Sequence, residues 1–334
     1  KRRLAIEKRE IEKAEREQAE KEAITFDEFF NENYLPYAIS NKSERTVNRE
    51  KGLYQLWIKD TIGFMQMSKI APLNLESIKE KMQKHDKAPR TIEYALVVVR
   101  QVFHYARDRK VIKTIPFLFT KRNYKRSDAL QQGKIIMPKV DNSRMRYFSL
   151  KEIEKLLNAL KARSQDVYDM TILAIHAGLR FSEITGLTWA DINLADGILT
   201  IRDAKTGSRF AHLTPEAAET LKTRKQGKPF EYVFQKRGKK GERVTSISHV
   251  FYRTIQDLGF NEGIKDRKLK LCFHSCRHTF GTLMYEKTND LYVTQKALGH
   301  ATNIMTQRYA KMADNRLKEA TLAVGNALKQ KTKN

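Results

Sequence analysis

From residue 24 to residue 112, apolar positions recur at the three- and four-residue intervals of amphipathic helices. Phe26, Phe29, Phe30 and Leu35 form one stripe. Leu53, Leu56, Trp57 and Ile58 form a second, and Leu75, Ile78 and Met82 a third. Residues 91–109 hold the longest, with Ile92, Tyr94, Ala95, Val98, Val99, Val102, Phe103 and Ala106. The pattern breaks over residues 107–148, where basic residues cluster around Pro116, Gly133 and Pro138, as a linker would. It resumes at Ser149-Leu150-Lys151-Glu152, a capping box that opens a helix bearing Ile153, Leu156, Leu157 and Leu160. Helices are expected over 166–177, 180–187 and 246–258, with another starting at Thr214-Pro215. Alternation predicts a hairpin between Leu199–Arg202 and Arg209–Leu213, and a third strand at Tyr232–Phe234. The fold class is mainly α with a small antiparallel β-sheet.

Charge changes the picture. The chain has 334 residues, with 64 Lys and Arg against 39 Asp and Glu, a formal net charge of +25. That excess calls for a polyanionic partner, most simply nucleic acid. A membrane surface would also attract it, but no apolar run approaches the ~20 residues of a spanning helix. No secretory leader pattern is visible, and two cysteines do not make a disulfide framework. The reading is a cytoplasmic, DNA-associated protein.

Candidate chemistry concentrates in residues 270–311. His274 and Arg277 lie three apart and share a helix face. His300 closes a Leu-Gly-His turn, and Tyr309 follows nine residues later. Histidine, arginine and tyrosine converging on one anion make a phosphoryl-transfer site, because Arg offers a bidentate fork to phosphate oxygens and Tyr can be a covalent nucleophile. Cys272 and Cys276 flank His274, but C-x-H-x-C on one helix cannot close a tetrahedral metal site. His278 reads as a structural hydrogen-bonder. Tyr285 and Tyr292 are rival nucleophiles without the interval from His300. No metal or nucleotide cofactor is expected: there is no G-x-x-x-x-G-K-[ST] run and no two-metal carboxylate constellation.

Taken with A-G-L-R-F-S-E at Ala177–Glu183 and Lys205 in the hairpin, this order of motifs resembles the tyrosine recombinases, or phage-type integrases. The resemblance covers roughly residues 145–325, and more loosely 24–112. It implies a two-domain DNA clamp: a charged helical connector over 1–23, a helical core-DNA-binding domain over 24–112, a basic linker over 113–147, a catalytic domain over 148–313 and a carboxy-terminal helix over 314–334 exchanged between protomers. The charged start suggests a connector from an amino-terminal arm-site-binding domain. Catalytic roles fall to Tyr309 (nucleophile), Arg180 and Arg277 (phosphate oxygens), His274 and His300 (donors or proton shuttles) and Lys205 (general acid), with Glu183 as their support. Arg202, Arg209 and Lys222 lie near enough to Lys205 to compete for its role. DNA contacts are expected at Lys42, Arg45, Lys121, Arg122, Lys125, Arg126, Arg144, Lys236, Arg237, Lys239 and Lys240.

The implied activity is site-specific recombination or integration for a mobile element through a 3′-phosphotyrosine, without metal or ATP. The implied assembly is a homo-tetramer on duplex attachment sites, with DNA-bending accessory proteins as further partners. A type IB topoisomerase or hairpin-resolving enzyme shares the chemistry, and a non-catalytic DNA-binding protein is the third alternative.

Overall fold

The computed structural model describes residues 23–120, 125–141, 144, 146–202, 207–312 and 321–322; the side chains of residues 126, 129, 311 and 312 fall outside this set. The expected connector over 1–23 and the carboxy-terminal helix thus lie almost wholly outside the described residues. The chain divides into two compact units, Lys1–Asp141 and Asn142–Asn334.

In the first unit, helix α1 begins at Phe26–Phe29, passes through a π-wound turn at Phe30–Tyr34 and continues as Leu35–Asn41. Thr25 caps it: the Glu28 carboxylate accepts from the Thr25 backbone N–H at 2.9 Å, and the Thr25 hydroxyl accepts from Glu28 N–H. Helix α2 (Glu44–Leu53) runs on as a π-wound stretch, Tyr54–Gly63. Helices α3 (Pro72–Lys84) and α4 (Pro89–Asp108) each carry proline in their first turn, where its missing N–H costs nothing. Aromatic rings fill the centre. Phe30 stacks on Tyr54 with centroids 3.8 Å apart, and Phe26 packs on Phe103 at 5.8 Å. Each such fully buried side chain contributes roughly 1.5–3 kcal/mol.

The basic segment after α4 departs from the linker expectation. Strands β1 (Leu118–Thr120) and β2 (Lys134–Ile136) pair in parallel, with the short helix α5 (Arg126–Gln131) between them. Phe117, Ile135 and Met137 join the first unit's core, and Phe117 meets Phe103 edge-on at 4.7 Å. Alternation of these isolated apolar residues with lysines and arginines hid a segment that folds by packing against α4.

In the second unit, α6 (Leu150–Arg163) starts at the Ser149–Glu152 capping box. Helix α7 (Gln165–His176) is buried, and α8 (Phe181–Gly186) follows after one tight turn. Strands β3 (Ile192–Asn193), β4 (Ile198–Ile201) and β5 (Arg209–His212) form the antiparallel sheet in that order, with Ile201 opposite Arg209. Tyr232–Phe234 is not a strand: Tyr232 makes one isolated bridge to Thr188, and Val233 N–H donates to Leu187 O at 2.9 Å. Helices α9 (Pro215–Lys222), α10 (His249–Asp257), α11 (Phe273–Thr288), α12 (Leu291–Leu298) and α13 (Asn303–Met312) complete the unit. No helix among the described residues is long and apolar enough to cross a membrane.

Candidate active site

The site is assembled where α8, α11, the α12–α13 turn and the start of β5 meet. After α7, Gly178 takes φ +63°, and a Cβ there would strike the Phe280 ring at 2.6 Å from Cε1. A side chain at 178 would therefore push α11 away. The turn delivers Arg180 to the first position before α8. Its backbone N–H donates to Glu183 Oε2 at 2.8 Å, and its guanidinium donates to Glu183 Oε1 at 2.6 Å. The three-residue spacing thus folds the pair onto each other.

Glu183 holds two further arginines. Arg209, at the head of β5, donates to Oε2 at 3.1 Å, and Arg277 reaches the same oxygen at 3.4 Å. The Arg277 guanidinium also donates to the backbone carbonyls of Gly178 and Leu298. Its side chain is only 2% exposed, whereas that of Arg180 is 27% exposed. Arg180 is thus the guanidinium of this pair with open access to an incoming anion. Burial lowers the Arg277 pKa to about 10, which keeps it charged at neutral pH.

Helix α11 presents His274, Arg277, His278 and Gly281 at helical spacing. His274 meets His278 edge-on, with ring centroids 4.6 Å apart. The Tyr309 hydroxyl lies 3.2 Å from His278 Nδ1, and its ring lies parallel to that of His300, 6.0 Å away. A Cβ at Gly281 would sit 2.7 Å from Tyr309 Cε1, so the phenol ring fits only because residue 281 has no side chain. His300 is set by its own loop: Gly299 caps α12 at φ +60°, His300 N–H donates to Gln295 O, and Nδ1 pairs with Thr306 Oγ1 at 3.0 Å.

Electrostatics fix the resting protonation. Burial comes first for all three imidazoles, with the arginine charges adding to it. His274 falls to about 4, His300 to about 3 and His278 to about 2. All three are neutral near pH 7. Tyr309 is 1% exposed, and burial raises its pKa despite the opposing pull of Arg277, Arg308 and Arg180. The nucleophile candidate is stored as a neutral phenol in a pocket where, among the described residues, three arginines share the Glu183 carboxylate. Such a pocket can bind a phosphodiester and stabilise charge that develops on its oxygens.

The structure brings together Tyr309, Arg180, Arg277, His274, His300 and Glu183. Lys205 lies outside the described residues. His278, read as a structural hydrogen-bonder, makes its bond to the Tyr309 hydroxyl. Arg209, read only as a competitor for the Lys205 role, joins the site through Glu183. Arg308 adjoins Tyr309 in sequence, and that adjacency was a usable clue.

The expected DNA contacts divide. The Lys42 amine turns inward, donating to Glu50 Oε1 at 2.7 Å, Tyr34 Oη at 2.7 Å and Gln101 Oε1 at 2.8 Å. It acts as an internal strut, because three acceptors in reach outweigh solvation of the ammonium. Arg45 is exposed beside a cavity of about 370 Å³ between α2 and α4. Arg144 donates to the carbonyls of Arg267 and Lys270. Lys236 and Lys239 pair with Glu242, while Lys125, Arg237 and Lys240 are exposed. Lys121, Arg122 and the Arg126 side chain are outside the described residues. Among those residues no three His, Cys, Asp or Glu side chains cluster as a metal site requires.

Among curated proteins, the chain is 30% identical over 189 residues to tyrosine recombinase XerA of Pyrococcus furiosus, covering 55% of this chain and 63% of the relative. It is 32% identical over 193 residues to tyrosine recombinase XerD of Proteus mirabilis, covering 54% and 59%. The chain thus spans less than two thirds of these relatives. In fold it is similar to the Tn1549 transposon integrase in complex with transposon right end DNA (TM-score 0.66, 18% identity, 89% of this chain and 100% of that one). It is likewise similar to a lambda integrase dimer bound to a COC′ core site (TM-score 0.66, 18% identity, 89% and 79%). The sequence profile of the phage integrase family matches residues 146–316, more than half of the chain and all of the site just described, and the chain belongs to that family.

Proposed function

We propose that this protein is a site-specific DNA recombinase that cleaves and rejoins duplex DNA through Tyr309. One observation carries the reading: α13 brings the Tyr309 hydroxyl onto His278 and its ring parallel to that of His300, beside the arginines gathered by Glu183. The Tyr309 hydroxyl passes its proton to the neutral imidazole of His278, which it touches, as its oxygen attacks the scissile phosphorus, forming a phosphotyrosine bond and breaking the bond to the 5′-oxygen. The leaving oxygen takes a proton, a role that the family resemblance gives to Lys205. Arg180 and Arg277 neutralise the charge that grows on the non-bridging oxygens. Reversal by another strand's 5′-hydroxyl completes exchange, and the covalent bond conserves the energy.

The resting site is not yet competent. A residue 1% exposed cannot meet a duplex phosphate, so α13 has to move when DNA binds. An arriving phosphate raises the imidazole pKa values by countering the arginine charge, which readies His274 and His300 to donate. Fold relatives solved in complex with DNA, including a lambda integrase tetramer bound to a Holliday junction, support a multimer on DNA. Attachment to a mobile element, a tetrameric active form, DNA-bending accessory proteins and action in the cytoplasm complete the proposal.

The test is a nicked duplex of the element's own end, incubated with wild type and Tyr309→Phe and resolved on a denaturing gel. An adduct in wild type alone is expected. An adduct that persists in the variant places the nucleophile elsewhere. Plasmid relaxation with no recombinant product favours a topoisomerase. Tight binding with no adduct at several candidate sites favours a binding protein.

A further inference from the structure

The arginine at the head of β5 touches three parts of the site at once. Its guanidinium donates to Glu183 Oε2 at 3.1 Å on α8 and to Ala297 O at 3.4 Å near the end of α12. Its stem lies so close to Gly299 that a Cβ there would collide with Arg209 Cδ and Nε. Its own strand is the second arm of the hairpin, with Arg209 opposite Ile201. The side chain is 15% exposed, so it is largely walled in by these neighbours.

We propose that Arg209 is a positioning residue for the reaction, locking the His300 turn, Glu183 and the β4–β5 hairpin into one register. The proposal rests on the recombinase reading and deepens it. Two physical points support it. Glu183 serves three guanidinium groups, and a phosphate that draws Arg180 away would leave the carboxylate short of partners if Arg209 were absent. Arg209, pinned by Ala297 and the flat face of Gly299, keeps that oxygen paired and lets Arg180 turn to the phosphate. Second, the carbonyl of Leu298 accepts from Arg277 and the carbonyl of Ala297 accepts from Arg209. Two adjacent carbonyls at the end of α12 are thus held by two arginines, and His300 follows two residues later. A planar fork is needed for these diverging contacts, which a lysine cannot reproduce.

The test compares wild type, Arg209→Met and Arg209→Lys. Histidine ring titration by NMR reads the His300 environment without any need for activity. Single-turnover adduct formation on the nicked duplex and equilibrium binding of the same duplex complete the set. The Met and Lys variants are both expected to raise the His300 pKa by about one unit or more. Lysine keeps the charge, so a rise there reports a loosened turn. Adduct formation should slow by about 10- to 100-fold in both, as for a small misplacement of reacting groups, with DNA affinity changed by less than about threefold. If Arg209→Met does not fold, the Lys variant decides alone. An unchanged His300 titration in the variants overturns the proposal, and so does full recovery of rate by lysine. A wild type that forms no adduct defeats the recombinase reading, while the titration still decides whether Arg209 sets the turn.

Discussion

In the amino-terminal unit, Lys42 meets Glu50 with Tyr34 and Gln101 around them; in the carboxy-terminal unit, Arg180, Arg209 and Arg277 meet Glu183. Both clusters are largely removed from water. The first has one cation for one anion, and its oxygens and its amine are matched by neutral partners. It is complete and ties α1, α2 and α4 together. The second has three cations for one anion, with Arg308 close enough to act on the neighbouring histidines and tyrosine. A charge surplus held in place by a single carboxylate is stable enough to fold and still short of an anion. The contrast separates a strut from a receptor.

Removing each carboxylate charge should break this comparison most visibly. Glu183→Gln leaves three buried or half-buried guanidinium groups without a counterion and is expected to cost about 3–5 kcal/mol. Glu50→Gln leaves one partly exposed ammonium with two neutral acceptors and should cost less, about 1–3 kcal/mol. Thermal unfolding in added sulfate distinguishes them further. Sulfate should recover part of the Glu183→Gln loss and little of the Glu50→Gln loss. Equal recovery in both would remove the receptor interpretation.

Acid should act next, and mainly on the second unit. His274, His278 and His300 all have folded pKa values well below the ordinary imidazole value of about 6.5. The unfolded chain therefore binds more protons between that value and about 2, so stability is full above pH 6.5 and falls as pH drops through this window. Bound DNA should oppose the loss, and calorimetry in buffers of different ionisation enthalpy should show proton uptake on binding below pH 6.5. Uptake of zero there would mean that no phosphate approaches the histidines.

The smallest expected effect compares neighbours in α1 and α2. Arg45→Met should weaken DNA binding uniformly and reduce the salt slope by about one. Lys42→Met should lower the melting temperature and leave the salt slope unchanged. A reversed outcome would mean that Lys42 leaves its cluster on DNA.

The same contrast explains what could be read without coordinates. His274 and Arg277 stand three apart on one helix face, and Arg180 and Glu183 three apart across one capping turn, and such local spacing survives folding. The capping box at Ser149 was legible for that reason. Tyr309, on another helix, was reached through the order of motifs. Arg209 acquires its role from three segments distant in sequence, and nothing local marks it. His278 reads as a hydrogen-bonder, but its partner could not be named, because Tyr309 arrives 31 positions later on another helix. Lys42 looked solvent-facing at a helix start, and its acceptors Glu50 and Gln101 come from α2 and α4. The β1–β2 pair was concealed because its stability comes from Phe117 and Ile135 entering a core begun ninety residues earlier in the chain, not from any run of strand-forming residues.

Gly281 carries a last consequence. With no side chain there, the phenol ring of Tyr309 lies against bare helix backbone. A single methyl group at that position would evict it. The resting position of the Tyr309 ring is therefore guarded by the smallest possible volume, and a graded series from Gly to Ala to Ser becomes a ruler for the work of displacing it. If Tyr309 is the nucleophile proposed above, safety and speed are set against each other at one carbon atom: whatever makes the pocket a poorer home for the ring shortens the path to cleavage and weakens the restraint on cleaving in the wrong place.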